Sequence, residues 1–246
     1  YNCVLSQDWI FRLAKTRLDP QFSHILNARH HDPFSYLGLH QSGQQYVLRV
    51  FQPHVANVWV HDGQAWQPLQ RVHESGLFEW MGSVAPPVPC RLKLESNGHS
   101  WETHDVYSFW TALSSDELYL FAEGRLKQAY QTFGAHAGEQ QGVAGVRFVV
   151  WAPNAERVSV VGNFNHWDGR VHAMRAHGGS GVWEIFIPGL DAGSLYKFEI
   201  RNRHSGQVFT KTDPYGFSFE HLPGTAAKVT PASHYAWQDS AWLQKR

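Results

Sequence analysis

Cysteine is almost absent from this 246-residue chain: Cys3 lies near the N-terminus and Cys90 follows the run Pro86-Pro87-Val88-Pro89, so no disulfide framework is indicated. A reducing cytoplasm is the expected home. No apolar run approaches the ~18 residues of a membrane helix, and no basic-then-apolar leader opens the chain; a membrane partner is not expected. An excess of either charge is also lacking. Lys+Arg and Asp+Glu stand at 21 each, which leaves no basic footprint for nucleic acid. Phosphate-cradling glycine loops, nucleophile elbows and paired-cysteine motifs are missing. The chain has 16 histidines, yet none forms an i, i+4 pair beside a glutamate, as a zinc hydrolase requires. Neither a metal nor a cofactor is therefore expected. The chain opens on Tyr1 rather than Met, as a piece of a longer protein would.

What the chain has in plenty is aromatic residues, 11 Trp, 9 Tyr and 15 Phe, and a long internal echo. Tyr46-Val47-Leu48-Arg49-Val50-Phe51-Gln52-Pro53 returns as Val146-Arg147-Phe148-Val149-Val150-Trp151-Ala152-Pro153. Asn57–Val60 returns as Arg157–Val160, and Trp101–Phe109 as Phe209–Phe217 with Asp, Tyr and Phe in identical spacing. A repeat of this length is one domain used twice, since solenoid units are far shorter. Most of the aromatics belong in sandwich cores; a few are candidates for exposed stacking platforms.

The local pattern fills in that plan. Asp19-Pro20 is an N-cap and N1 pair, with Phe22, Ile25 and Leu26 at helical spacing; the helix must stop before Asp32-Pro33. Short β segments follow from Tyr46, among them Leu77–Met81 and a hairpin of Arg91–Glu95 turned at Asn97-Gly98. In the second copy Tyr196–Ile200 turns at His204-Ser205-Gly206 and returns through Gln207–Lys211. Ser114-Ser115-Asp116-Glu117 is a capping box opening a short helix, and Gly138-Glu139-Gln140-Gln141-Gly142 reads as linker. About seven strands over roughly 100 residues is the signature of an immunoglobulin-like sandwich. The expected architecture is all-β: two tandem immunoglobulin-like β-sandwiches with a short N-terminal helical arm and a short inter-domain helix. The boundaries read as arm 1–31, first sandwich 32–112, linker with helix 113–140, second sandwich 141–232 and tail 233–246.

That plan leaves no room for a (β/α)₈ barrel, which needs about 250 residues of alternating strand and helix. Asp105 and Asp213 occupy equivalent repeat positions in different domains, which points to one structural role used twice rather than to a paired-carboxylate glycosidase. No catalytic residue is assigned.

Several segments, in order, carry a family resemblance: His31-Asp32-Pro33-Phe34-Ser35-Tyr36-Leu37-Gly38-Leu39-His40, Ser115–Gly124, Phe133-Gly134-Ala135-His136, Val149–Ala155, and Val160-Val161-Gly162-Asn163-Phe164-Asn165-His166-Trp167-Asp168-Gly169. Together they resemble the N-terminal region of bacterial 1,4-α-glucan (glycogen) branching enzymes; the last two are shared with the wider carbohydrate-binding module family 48. The resemblance implies accessory domains, inactive alone, of an enzyme that cuts an α-1,4 glucan and rejoins it as an α-1,6 branch on a separate barrel. The tail Tyr235–Trp242 resembles the lead into that barrel. Expected partners are α-glucan and the barrel, and a monomer is expected. By the same resemblance the carbohydrate-binding residues are Trp167, Lys197, Phe209, Leu222 and Asn163. Phe209 stands where related modules place a second Trp, and the loop Leu222–Ala227 has Ala where they have Asn, so packing against the barrel is the competing role for this surface. In the first copy Trp66 is the corresponding aromatic, with packing in its hairpin the preferred role. Alternatives for the whole chain are a standalone glucan-binding module, or the accessory region of a debranching or trehalose-forming relative.

Overall fold

The computed structural model describes residues 19–231 and 238–245. Cys3, the start of the N-terminal arm and part of the tail lie outside the described residues. Helix α1 (Pro20–Leu26) starts where Asp19-Pro20 predicts: the Asp19 carboxylate accepts from the Gln21 amide at 2.9 Å, and Phe22 and Ile25 turn inward. It ends at Leu26, well before Pro33, and Ala28 just beyond has φ +51°. Helix α2 (Ser115–Ala122) carries the predicted capping box, Ser114 and Glu117 satisfying each other's amides.

The first sandwich has eight strands: β1 (Gly38–Ser42), β2 (Gln45–Phe51), β3 (Asn57–His61), β4 (Trp66–Pro68), β5 (Gln70–His73), β6 (Leu77–Gly82), β7 (Arg91–Ser96) and β8 (His99–His104). They form two antiparallel sheets, ordered β1-β2-β6-β5 and β4-β3-β7-β8. The second has nine: β9 (Gly134–Gln140), β10 (Val143–Trp151), β11 (Ala155–Gly162), β12 (Arg175–Ala176), β13 (Val182–Pro188), β14 (Leu195–Asn202), β15 (Val208–Lys211), β16 (Ser218–Phe219) and β17 (Ala227–Lys228). Its sheets run β12-β13-β10-β9 and β11-β14-β17-β16, with β15 also on β14. The inward residues of each pair of sheets make separate cores, Leu48, Val50, Val58, Val60, Phe78, Leu92 and Leu94 in one, Val146, Phe148, Val158, Val160, Trp183, Tyr196 and Phe198 in the other. Alternation of inward apolar and outward polar residues is what places them there.

The stretch read as linker, 138–142, is instead the first hairpin of the second sandwich. β9 pairs with β10 along its whole length, and Gln141 (φ +50°) with Gly142 (φ +78°) makes the two-residue turn. The polar, glycine-rich composition that suggested a linker belongs to a solvent-facing edge strand.

The repeat reaches into backbone detail. Gly38 (φ +87°) and Gly134 (φ +101°) each open a first strand, and a Cβ there would meet the carbonyl oxygen of Tyr107 at 2.9 Å or of Tyr215 at 3.1 Å. Two residues on, His40 and His136 each donate from Nε2 to the carbonyl three residues back, both at 2.9 Å.

The sandwiches are bound to each other through buried side chains. Tyr107 donates its hydroxyl to the Val171 carbonyl at 2.9 Å. The Arg175 guanidinium lies 4.0 Å over the Phe34 ring, and buried Glu184 accepts from the Ala112 amide at 2.9 Å and from the Thr111 hydroxyl. Within the second sandwich β11 is buried on both faces, where its counterpart β3 alternates. The outward residue Arg157 is 1% exposed and is held by the Gly169 carbonyl at 2.7 Å and Glu199 at 2.5 Å.

Candidate functional site

The segment after β11 is built residue by residue for one shape. Gly162 cannot carry a side chain: a Cβ would collide with the Leu195 carbonyl and the Phe164 ring. Asn163–Asn165 forms a single 3-10 turn. Asn165 is buried and acts as its pin, accepting from the Gly162 amide at 2.9 Å and donating to the Val160 carbonyl at 2.8 Å and to His172 Nδ1 at 3.0 Å. His166 and Trp167 then take left-handed conformations (φ +55° and +59°). Two such non-glycine residues in succession cost about 1–3 kcal/mol each, and they persist only where neighbours dictate them. Here the Trp167 amide donates to the Gly162 carbonyl at 2.9 Å, and its indole Nε1 donates to Asn163 Oδ1 at 2.8 Å. The result is a Trp167 indole 40% exposed and fixed in orientation.

Asp168 anchors the far end of the turn. Burial raises its pKa, but the Arg170 side chain and amide more than offset this and hold the carboxyl below its ordinary value. Arg170 contacts both carboxylate oxygens, Nε to Oδ1 at 2.9 Å and Nη2 to Oδ2 at 2.6 Å. His172, behind Asn165, is pushed down to about 4 by burial; it is neutral at neutral pH and can accept from Asn165.

Lys197 sits on β14 directly opposite Val161, one residue before Gly162, and so shares the sheet end from which the Trp167 turn departs. Its Nζ donates to Thr225 Oγ1 at 2.5 Å. Thr225 lies in the same loop as Leu222, which is 89% exposed. The structure thus ties Asn163 to Trp167, and Lys197 to the Leu222 loop, around one end of the β11–β14 pair. Phe209 is placed differently. It pairs with Ile200, whose side chain alternates with outward-facing Lys197 and Glu199, so Phe209 shares the other face of the sheet, with Lys211 Nζ 5.5 Å over its ring. In the first sandwich Trp66 is covered, with Arg91 5.4 Å over its ring and His61 edge-on at 5.1 Å. The role of Thr225 was not readable from the sequence, because a lone threonine in a glycine-proline loop carries no signal until the strand opposite is known. Among the described residues no three of His, Cys, Asp and Glu converge as a metal site would require.

Two family models match the chain in order. Residues 19–107 match the N-terminal domain of alpha-1,4-glucan branching enzyme GlgB, and residues 132–216 match carbohydrate-binding module 48 (isoamylase N-terminal domain). The 1,4-alpha-glucan branching enzyme GlgB of Methylobacillus flagellatus is 72% identical over 234 residues, 95% of this chain and 32% of that one. Its counterpart in Nitrosospira multiformis is 49% identical over 233 residues, 93% of this chain and 31% of that one. The chain matches the N-terminal region of the 1,4-alpha-glucan branching enzymes. It spans about a third of the length of these relatives. Family 48 modules are immunoglobulin-like, in keeping with the second sandwich, and the match to that module starts at residue 132 rather than 141, which agrees with β9 belonging to it. No described helix is long and apolar enough to cross a membrane.

Proposed function

We propose that this chain is the non-catalytic N-terminal part of a glycogen branching enzyme, and that the end of the second sandwich bearing Trp167, Asn163, Lys197 and Leu222 contacts α-glucan. The observation that carries the first half is the 72% identity with a branching enzyme over 95% of the chain, in which both family models fall in order. The second half is supported by an exposed indole held in a strained turn at the end of the β11–β14 pair, where Lys197 lies opposite Val161 and bonds Thr225 of the loop carrying exposed Leu222. A flat apolar ring face flanked by polar groups suits the face of a glucose ring. On this reading the chemistry of cutting and rejoining chains is carried outside these residues, the chain is inactive alone, and its partners are the glucan and the catalytic part of the enzyme.

The competing role for the same surface is packing against the catalytic part. Glycogen embedded in a native gel separates the two. The 246-residue chain should be retarded, and Trp167→Ala should be retarded clearly less. Equal migration of both proteins with and without glycogen would leave the packing role standing. Branching activity of the chain itself would overturn the placement of the chemistry.

A further inference from the structure

A cleft of about 760 Å³ lies between the two sandwiches, lined from the first by β8 and from the second by the turn after β11 and the end of β13. Its volume falls in the range of small-ligand sites, about 300–1,000 Å³. Trp101, on β8, lines it and is 43% exposed. Among the described residues no other ring or cation stacks on this indole, in contrast to Trp66 under Arg91 and Trp59 under Lys93. Trp101 pairs with Leu94, which lines the cleft beside it, so the indole shares the inward side of its sheet.

The lining chemistry restricts the occupant. Among the described residues no lysine or arginine lines the cleft, which disfavours phosphate esters and nucleotides. The one carboxylate in the lining, Glu102, is engaged by Arg91, Nε to Oε2 at 3.0 Å. The remaining polar groups are uncharged amides and hydroxyls with imidazoles, notably Asn97 and Thr103 on one wall and His166 and His172 on the other. His172 accepts from Asn165 through Nδ1, so its Nε2–H is the donor left on that ring. An unstacked indole with amide, hydroxyl and imidazole groups on the walls around it suits a neutral, polyhydroxylated chain.

We propose that this inter-sandwich cleft is a second carbohydrate subsite, in which a short segment of α-glucan stacks on Trp101 and is framed by polar groups of both sandwiches. The proposal rests on the reading of the chain as a glucan-handling region, but uses residues separate from the Trp167 surface. The turn after β11 serves both, with Phe164, Asn165 and His166 lining the cleft and Trp167 outside it.

Calorimetric titration of the 246-residue chain with maltoheptaose tests it. The expected result is two sites, of which Trp101→Ala removes one or weakens it at least about ten-fold, while Trp167→Ala removes the other. Trp101→Phe, which keeps a smaller stacking face, should fall between wild type and Trp101→Ala, and unchanged melting temperatures would show that the variants fold. Unchanged stoichiometry and affinities in Trp101→Ala would overturn the cleft and leave the Trp167 surface untouched. Loss of all binding in Trp101→Ala with none lost in Trp167→Ala would keep the cleft and sink the surface. Absence of heat with the wild type would overturn both.

Discussion

In the first sandwich Cys90 faces Asp105 across the β7–β8 ladder; in the second, Tyr196 faces Asp213 across β14–β15. The equivalence follows from register: Val60 pairs with Leu92 and Val160 with Phe198, and Cys90 and Tyr196 each lie two residues earlier. Both aspartates are buried, at 4% and 2% exposure. Tyr196 donates its hydroxyl to Asp213 Oδ2 at 2.5 Å, and the Tyr215 amide donates to Oδ1 at 2.8 Å. Cys90 offers no such donor, and Asp105 Oδ2 is buried with no hydrogen-bond partner. Burial raises both carboxyl pKa values, and that of Asp105 reaches about 7. The copies thus keep the same backbone corner but fill it with different chemistry. The same holds at the surface. The turn after β3 leads into a short strand with its Trp66 covered, whereas the turn after β11 holds Trp167 open.

The largest effects should test whether the two cores act together. Phe148→Ala should cost about 3–5 kcal/mol and Leu48→Ala about 2–5 kcal/mol. Because the contacts of buried Tyr107 and Glu184 cross between the sandwiches, each variant should lower one common urea transition. Two transitions, with only one shifted by each variant, would show that the sandwiches unfold separately.

Next in size are the paired glycines. Gly38→Ala and Gly134→Ala each force a side chain into a positive φ and against a tyrosine carbonyl, and each should cost about 1–3 kcal/mol. Similar losses are expected in chemical denaturation; a tolerated change at one position alone would break the equivalence. Tyr196→Phe should cost about 1–3 kcal/mol by leaving the Asp213 carboxyl without its hydroxyl donor.

The remaining contrast is read as a slope with pH rather than as the cost of one substitution. Asp105 titrates near 7 in the folded chain against 3.8 ordinarily, so between those values the folded state holds a proton that the unfolded state has released. Its contribution therefore makes stability fall as pH rises from about 4 to 7. His172, lowered to about 4 by burial, contributes the opposite slope between about 4 and 6.5. Subtracting the pH profile of melting for Asp105→Asn from that of wild type isolates the aspartate, and the difference should grow in favour of Asn toward neutral pH. A difference that stays constant with pH would contradict the raised pKa.

Much of the fold was legible because it rests on local, periodic signals. The alternation in β2 and β10, the Asn97-Gly98 turn, the Asp19-Pro20 start of α1 and the Ser114–Glu117 box each act within a few residues. The exact start of the second sandwich was not legible, since β9 is polar, glycine-containing and half solvated, and only pairing with β10 makes it a strand. The double burial of β11 was also hidden: Arg157 and Ser159 look like an outward face until the chain around Gly169 covers them. Within the candidate site the Asn163–Trp167 motif pointed to the turn, but not to Asn165 as its pin. The opposite-face position of Phe209 depended on a register that a linear motif does not encode. Trp101 was visible only as part of the repeat; the wall facing it comes from a segment more than 60 positions later.

The central contrast is that one scaffold was used twice while the exposed stacking faces differ between the copies. Indole N–H resonances of the isotope-labelled chain, assigned by single Trp→Phe variants and followed during titration with maltoheptaose, test this most directly. The account predicts that the signal of Trp167 shifts with saturation while that of Trp66, covered by Arg91, stays in place. A shift of Trp66 with Trp167 unmoved would contradict it.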